Sequence, residues 1–126
     1  MKQETDWVLK KPLFVDKKDR RYRKYQRQLQ QRGFSDEETW NIDNTVSAFI
    51  LPRLKRFREI NNGYPQGLSE KKWNQIVDKM IFAFEWNLGQ FRGITDELTQ
   101  AEIATGWKKY EEGLALFAKH LRDLWW

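Results

Sequence analysis

The chain has no cysteine, which removes disulfides, thiolate metal sites and Cys nucleophiles together and leaves packing alone to hold the fold. A cysteine-free chain suits a reducing compartment. It has one histidine, His120, no phosphate-binding Gly loop, no HExxH pair and no nucleophile motif, so metal and nucleophilic chemistry lack their usual residues. No run nears the roughly 20 apolar residues that span a bilayer, and Met1 to Lys11 lacks the apolar core of a signal peptide. We therefore expect a soluble, intracellular, non-enzymatic protein with no catalytic residues, no metal and no cofactor. At 126 residues it fits a single domain with a core of its own.

What the chain does have is charge, unevenly placed. Residues 1–32 hold 11 of the 23 Lys and Arg against four acids, while residues 33–126 hold 12 bases against 14 acids. A basic arm of net +7 therefore precedes a body of net −2, which points to an anionic partner. Aromatics are the second excess, at 15% with seven Trp. In so polar a chain a few large rings must supply much of the buried area, and Trp40, Trp73, Trp86 and Trp107 are expected in the core.

Helical periodicity dominates. Trp7-Val8-Leu9 and Leu13-Phe14-Val15, parted by Pro12, suit an extended strap. Asp16 to Arg32 favours helix and stops at Gly33, with Tyr22, Tyr25 and Leu29 as its thin apolar stripe. Ser35 and Glu38 form a capping box that opens a second helix, striped by Ile42, Val46, Phe49, Ile50, Leu54, Phe57 and Ile60. Pro52 should kink it near Ala48 to Pro52, and the turn formers Asn61 to Gly67 should end it. Ser69 caps a third helix apolar on more than one face, which marks it as the central element. Thr95 or Thr99 opens a fourth, whose Ile103, Trp107, Tyr110, Leu114, Phe117, Leu121 and Leu124 repeat like a coiled-coil seam. Gly106 and Gly113 beside that seam suggest close approach by another helix. Nothing alternates as a strand would, so the expected fold is all-α: a single-domain bundle of three to four helices, residues 33–126, behind a basic arm and helix, residues 1–32.

Arg32-Gly33-Phe34-Ser35-Asp36, Trp40-Asn41-Ile42-Asp43, Phe49-Ile50-Leu51-Pro52-Arg53-Leu54-Lys55, Gly63-Tyr64-Pro65, Trp73 and Asp78 to Glu85 together resemble a group of small uncharacterised proteins of tailed bacteriophages. The resemblance covers roughly residues 32–86. It implies a phage product acting in the host bacterial cytoplasm, where small accessory proteins often counter host defence or redirect host machinery.

The candidate sites follow from charge and rings. Lys17, Lys18, Arg20, Arg21, Arg23, Lys24 and Arg27 surround the first helix with anion-binding groups, and Tyr22 and Tyr25 are placed to stack on a base. Arg53, Lys55, Arg56 and Arg58 form a second basic cluster. Trp107, Tyr110, Leu114, Phe117, Leu121, Trp125 and Trp126 are interface candidates, for a homodimer or higher oligomer or for docking of the Trp pair back on the body. His120 suits a helix C-terminus, Asp36 to Glu38 suit a first turn, and Asp43 and Glu85 are expected in internal ion pairs with a base such as Arg53. Three functions remain open. The first is an anti-defence binder that captures an anionic nucleotide or blocks a host defence protein. The second is a nucleic-acid-binding accessory protein, and the third an inhibitor of a host nuclease or other enzyme.

Overall fold

A computed structural model describes residues 11–93 and 95–126; the Trp7–Leu9 patch lies outside them. The described residues form five α-helices and a short 3-10 turn, with no strand among them: α1 (Tyr22–Arg32), α2 (Asp36–Trp40), α3 (Ile42–Ile60), α4 (Glu70–Phe91), α5 (Gln100–His120) and the turn Leu121–Asp123. The chain separates into two compact units, one up to Thr45 and one from Val46 to Trp126.

In the first unit, α1 begins only at Tyr22, because Asp19 draws the preceding residues into turns. Its carboxylate accepts from the Arg21 amide at 2.8 Å and holds the Arg21 guanidinium at 2.9–3.0 Å. Gly33 closes α1, its amide bonding the Leu29 carbonyl at 2.9 Å. Ser35 and Glu38 then cap α2, Glu38 Oε2 accepting from the Ser35 amide at 2.6 Å. A clasp joins α1 to α2: Gln28 donates to Asp36 at 2.8 Å, accepts from the Asp36 amide at 2.8 Å, and Arg32 adds an ion pair at 2.6 Å. The helix expected from Ser35 onward is split, since Asn41 leaves helical geometry at φ −138°, ψ 64°.

The second unit is built on three antiparallel helices. Leu54 of α3 meets Trp73, Val77, Met80 and Phe84 of α4 in the buried core, and Leu116 and Phe117 of α5 pack against it. Phe84 and Phe117 meet edge to face, with centroids 5.0 Å apart. Ion pairs at the margins fix the helix order: Lys55–Glu85 at 2.8 Å and Arg58–Asp78 at 2.9 Å join α3 to α4, and Lys79–Glu112 at 2.6 Å joins α4 to α5. Glu85 is thus held by Lys55, and Arg53 points elsewhere. Ser69 and Thr99 cap α4 and α5 as their sequences indicate, each hydroxyl accepting an amide at 3.1 Å. Thr99, not Thr95, opens α5.

Two expected stripes are turned in part: Ile50, Leu54 and Phe57 of the first, and Phe117 and Leu124 of the second, do lie in or against the core, and the rest shift. On α3 the inward residues are Asn44, Ser47 and Leu54, at 4%, 1% and 2% exposure, while Ile42, Val46 and Phe49 lie exposed. The Asn87 amide, donating to Ser47 Oγ at 3.1 Å, makes that polar face satisfiable. On α5 the face against α4 is Gly106, Gly113 and His120, spaced by seven. Trp107, Leu114 and Leu121 are displaced outward by it, and Trp40 is exposed on α2, so only Trp73 and Trp86 of the four expected core indoles are buried.

Candidate functional site

The second basic cluster is divided by the geometry of α3. Lys55 and Arg58 turn toward α4 and are consumed by Glu85 and Asp78. Arg53 and Arg56 turn the other way, into a cleft of about 490 Å³ that they line with Ile50, Leu54, Phe57, Ile60, Leu124, Trp125 and Trp126. Arg53 is held in place. Its Nη1 donates to the Phe49 carbonyl at 2.7 Å and its guanidinium lies 3.8 Å from the Phe49 ring centroid, an arrangement that fixes the side chain while leaving further N–H donors. Arg56 is braced by Glu59 at 3.0 Å, with both side chains open to solvent.

Trp125 and Trp126 are 74% and 70% exposed, so their rings present free faces. They wall this cleft and a second one of about 240 Å³, whose other lining residues are Asn62, Gly63, Tyr64, Pro65, Trp73 and Asp123. Asp123 is positioned by His120, whose Nδ1 lies 2.9 Å from Oδ2; the His120 ring in turn meets Trp73 edge to face at 5.4 Å. His120 is therefore a buried packing and positioning group. The pattern Asn61 to Gly67 reads as a helix stop, and folded it also supplies a cleft wall. Only its density of Asn, Tyr and Gly, residues common in binding loops, signals this. Asp123 carried no signal.

The first unit carries basic residues of its own. Lys17, Lys18, Arg20, Arg23 and Arg27 are exposed and make no ion pair with another described residue. Arg21 is committed to Asp19, whose carboxyl it holds down at about 2, and Lys24 lies 3.8 Å from Asp36. The Arg32 guanidinium and the Gln28 amide likewise keep the Asp36 carboxyl below the usual range. Tyr25 is buried, which closes its ring to a stacking base, whereas Tyr22 is half-buried. Among the described residues no group of three His, Cys, Asp or Glu is placed to hold a metal ion, and no helix is long and apolar enough to cross a membrane.

The interface candidates also divide. Phe117, partly buried, packs against the core, Tyr110 is half-buried edge to face against Trp107 at 5.3 Å, and Trp107, Leu114 and Leu121 remain on the outside of α5. Trp125 and Trp126 belong to the clefts. Compared with known proteins, the chain matches no family model, no curated protein and no solved structure.

Proposed function

We propose that the protein is a non-enzymatic binder of an anionic nucleotide, with Arg53 and Arg56 on the phosphate and Trp125 and Trp126 on the base. The observation that carries this is the convergence of two guanidiniums and two exposed indoles on one cleft. Arg engages phosphate by charge and in a planar fork, and an indole face stacks on any base. A volume of about 490 Å³ lies within the roughly 300–1,000 Å³ of small-molecule sites. The phage resemblance of residues 32–86 supports a setting: a phage accessory protein in the host bacterial cytoplasm that removes a nucleotide signal or blocks a defence protein, a basic arm preceding a helical body in the chain, self-associating through the outside of α5. Melting curves with 5′-monophosphates and cyclic nucleotides test the binding. Stabilisation that rises with ligand concentration and is lost in the double variant Arg53→Ala, Arg56→Ala is expected. No shift at millimolar nucleotide would end this reading.

A second reading has its own observation. Lys17, Lys18, Arg20, Arg23 and Arg27, exposed and without an ion pair among the described residues, suit the phosphates of a nucleic acid, whose binding would weaken steeply with salt through counterion release.

A further inference from the structure

The smaller of the two clefts sharing the Trp125–Trp126 wall differs in chemistry from the larger. It has no base. Its polar groups are the Asp123 carboxylate, the Asn62 amide and the Tyr64 hydroxyl, set among the rings of Trp73, Trp125 and Trp126. At about 240 Å³ it falls below the roughly 300 Å³ at which sites for whole drug-sized ligands begin, and suits one planar ring system. A carboxylate there offers acceptors only. Although Oδ2 faces His120 Nδ1 at 2.9 Å, a carboxylate has about four lone-pair sites, so Asp123 keeps capacity for two further donors.

From this we infer that the smaller cleft selects a guanine base, with Asp123 accepting from it; the inference rests on the nucleotide reading above. Guanine is the base that presents two adjacent donors, its ring N1–H and its 2-amino group, on the edge that a carboxylate meets. Adenine and cytosine pair one amino donor with a ring-nitrogen acceptor, which would lie against the carboxylate lone pairs. Uracil flanks its single donor with two carbonyls. Trp125 and Trp126 wall both clefts, so in the proposed complex the base sits beside Asp123 and the phosphate with Arg53 and Arg56 across that shared indole wall. The negative charge needed to read guanine is thus kept apart from the positive charge needed for phosphate. His120 acts as a positioning residue, holding one Asp123 oxygen toward itself.

The test is calorimetric titration of the full chain with GMP, IMP and AMP. We expect GMP to bind roughly tenfold or more tighter than AMP, as two charge-assisted hydrogen bonds warrant. IMP, which keeps N1–H but lacks the 2-amino group, should fall between them. Asp123→Asn should erase the preference for GMP and strengthen AMP binding, because an amide both donates and accepts as the adenine edge requires, with melting of the free variant as its folding control. The GMP, IMP and AMP order in the unaltered protein stands even if that variant fails to fold. Equal affinity for all three, still abolished by Arg53→Ala with Arg56→Ala, would overturn the guanine inference and spare the nucleotide reading. Binding of none of them would overturn both.

Discussion

The indole of Trp86 lies so closely against Gly106 that a methyl group on that glycine would overlap the six-membered ring. Seven residues on, Gly113 meets the Lys79 carbonyl and the Ala83 methyl in the same way. These two contacts set how near α5 comes to α4, and they place the Trp86 ring between Phe82, stacked at 6.0 Å, and Trp107, edge to face at 6.0 Å.

Gly106→Ala and Gly113→Ala should therefore each destabilise the protein, against the intrinsic gain of about 1 kcal/mol that Ala has over Gly in a helix. Overpacking typically costs about 1–3 kcal/mol, and neither a buried indole nor a backbone carbonyl gives way easily. Urea unfolding should show a lower midpoint for both variants. A midpoint equal to or above that of the parent would mean that the two helices are not in this register.

The divided seam of α5 makes a second expectation. Phe117→Ala removes a ring packed on Phe84 and should cost about 3 kcal/mol. Leu121→Ala, at a position 57% exposed, should cost less than about 1 kcal/mol. Comparable losses at the two positions, measured by thermal unfolding at low protein concentration, would show that the outer stripe is covered in the isolated chain.

Periodicity made the helices legible and left their rotation open. Ser69, Thr99 and Gly33 marked their termini correctly because a cap is a local hydrogen bond, decided within four residues. Which face turns inward is decided by the neighbour. Asn44 and Ser47 are buried where Ile42 and Val46 had the stronger apolar claim, since Asn87 of α4 satisfies Ser47. The regular spacing from Trp107 to Leu121 promised a seam, and Phe117 keeps to it, yet the closest approach to α4 falls one position earlier, at Gly106 and Gly113, with His120 buried in the same register. Small residues contribute closeness, which a hydrophobicity pattern does not register. In the candidate site, the value of Arg53 and Arg56 could be read from composition. Their separation from Lys55 and Arg58, and their meeting with Trp125 and Trp126, depend on long-range packing.

Glu37 gives a pH-dependent expectation. Its Oε1 accepts from the Leu13 amide at 2.6 Å and the Phe14 amide at 3.4 Å, tying residues 13–14 to α2. Burial, the largest influence, raises the carboxyl above its ordinary value of 4.5 despite those two amides. The folded state thus favours the protonated acid, so the stability Glu37 contributes is complete below 4.5 and is lost as pH rises through the raised value. Hydrogen exchange of the Leu13 and Phe14 amides should show it. Protection should fall with rising pH in the parent beyond the intrinsic change in exchange rate, hold level in Glu37→Gln, and drop roughly tenfold or more in Glu37→Ala. The same pH trend in Glu37→Gln would assign the effect to another group.

The last expectation separates the two basic surfaces. Lys17, Arg20, Arg23 and Arg27 are exposed and without ion pairs among the described residues, whereas Arg21 and Lys24 face Asp19 and Asp36. Changing the first four to Ala should move the melting temperature by no more than about 2 °C, as surface substitutions away from specific contacts do. If the first unit tracks a nucleic-acid backbone, the same variant should lose duplex affinity, and its salt dependence should flatten by about one in log–log slope for each phosphate contact removed. Nucleotide-dependent stabilisation should persist, because Arg53 and Arg56 are untouched. A variant that keeps full duplex binding with an unchanged salt slope would leave the charge of the first unit as solvated surface, and one that loses its helical circular dichroism would make those four side chains part of the fold.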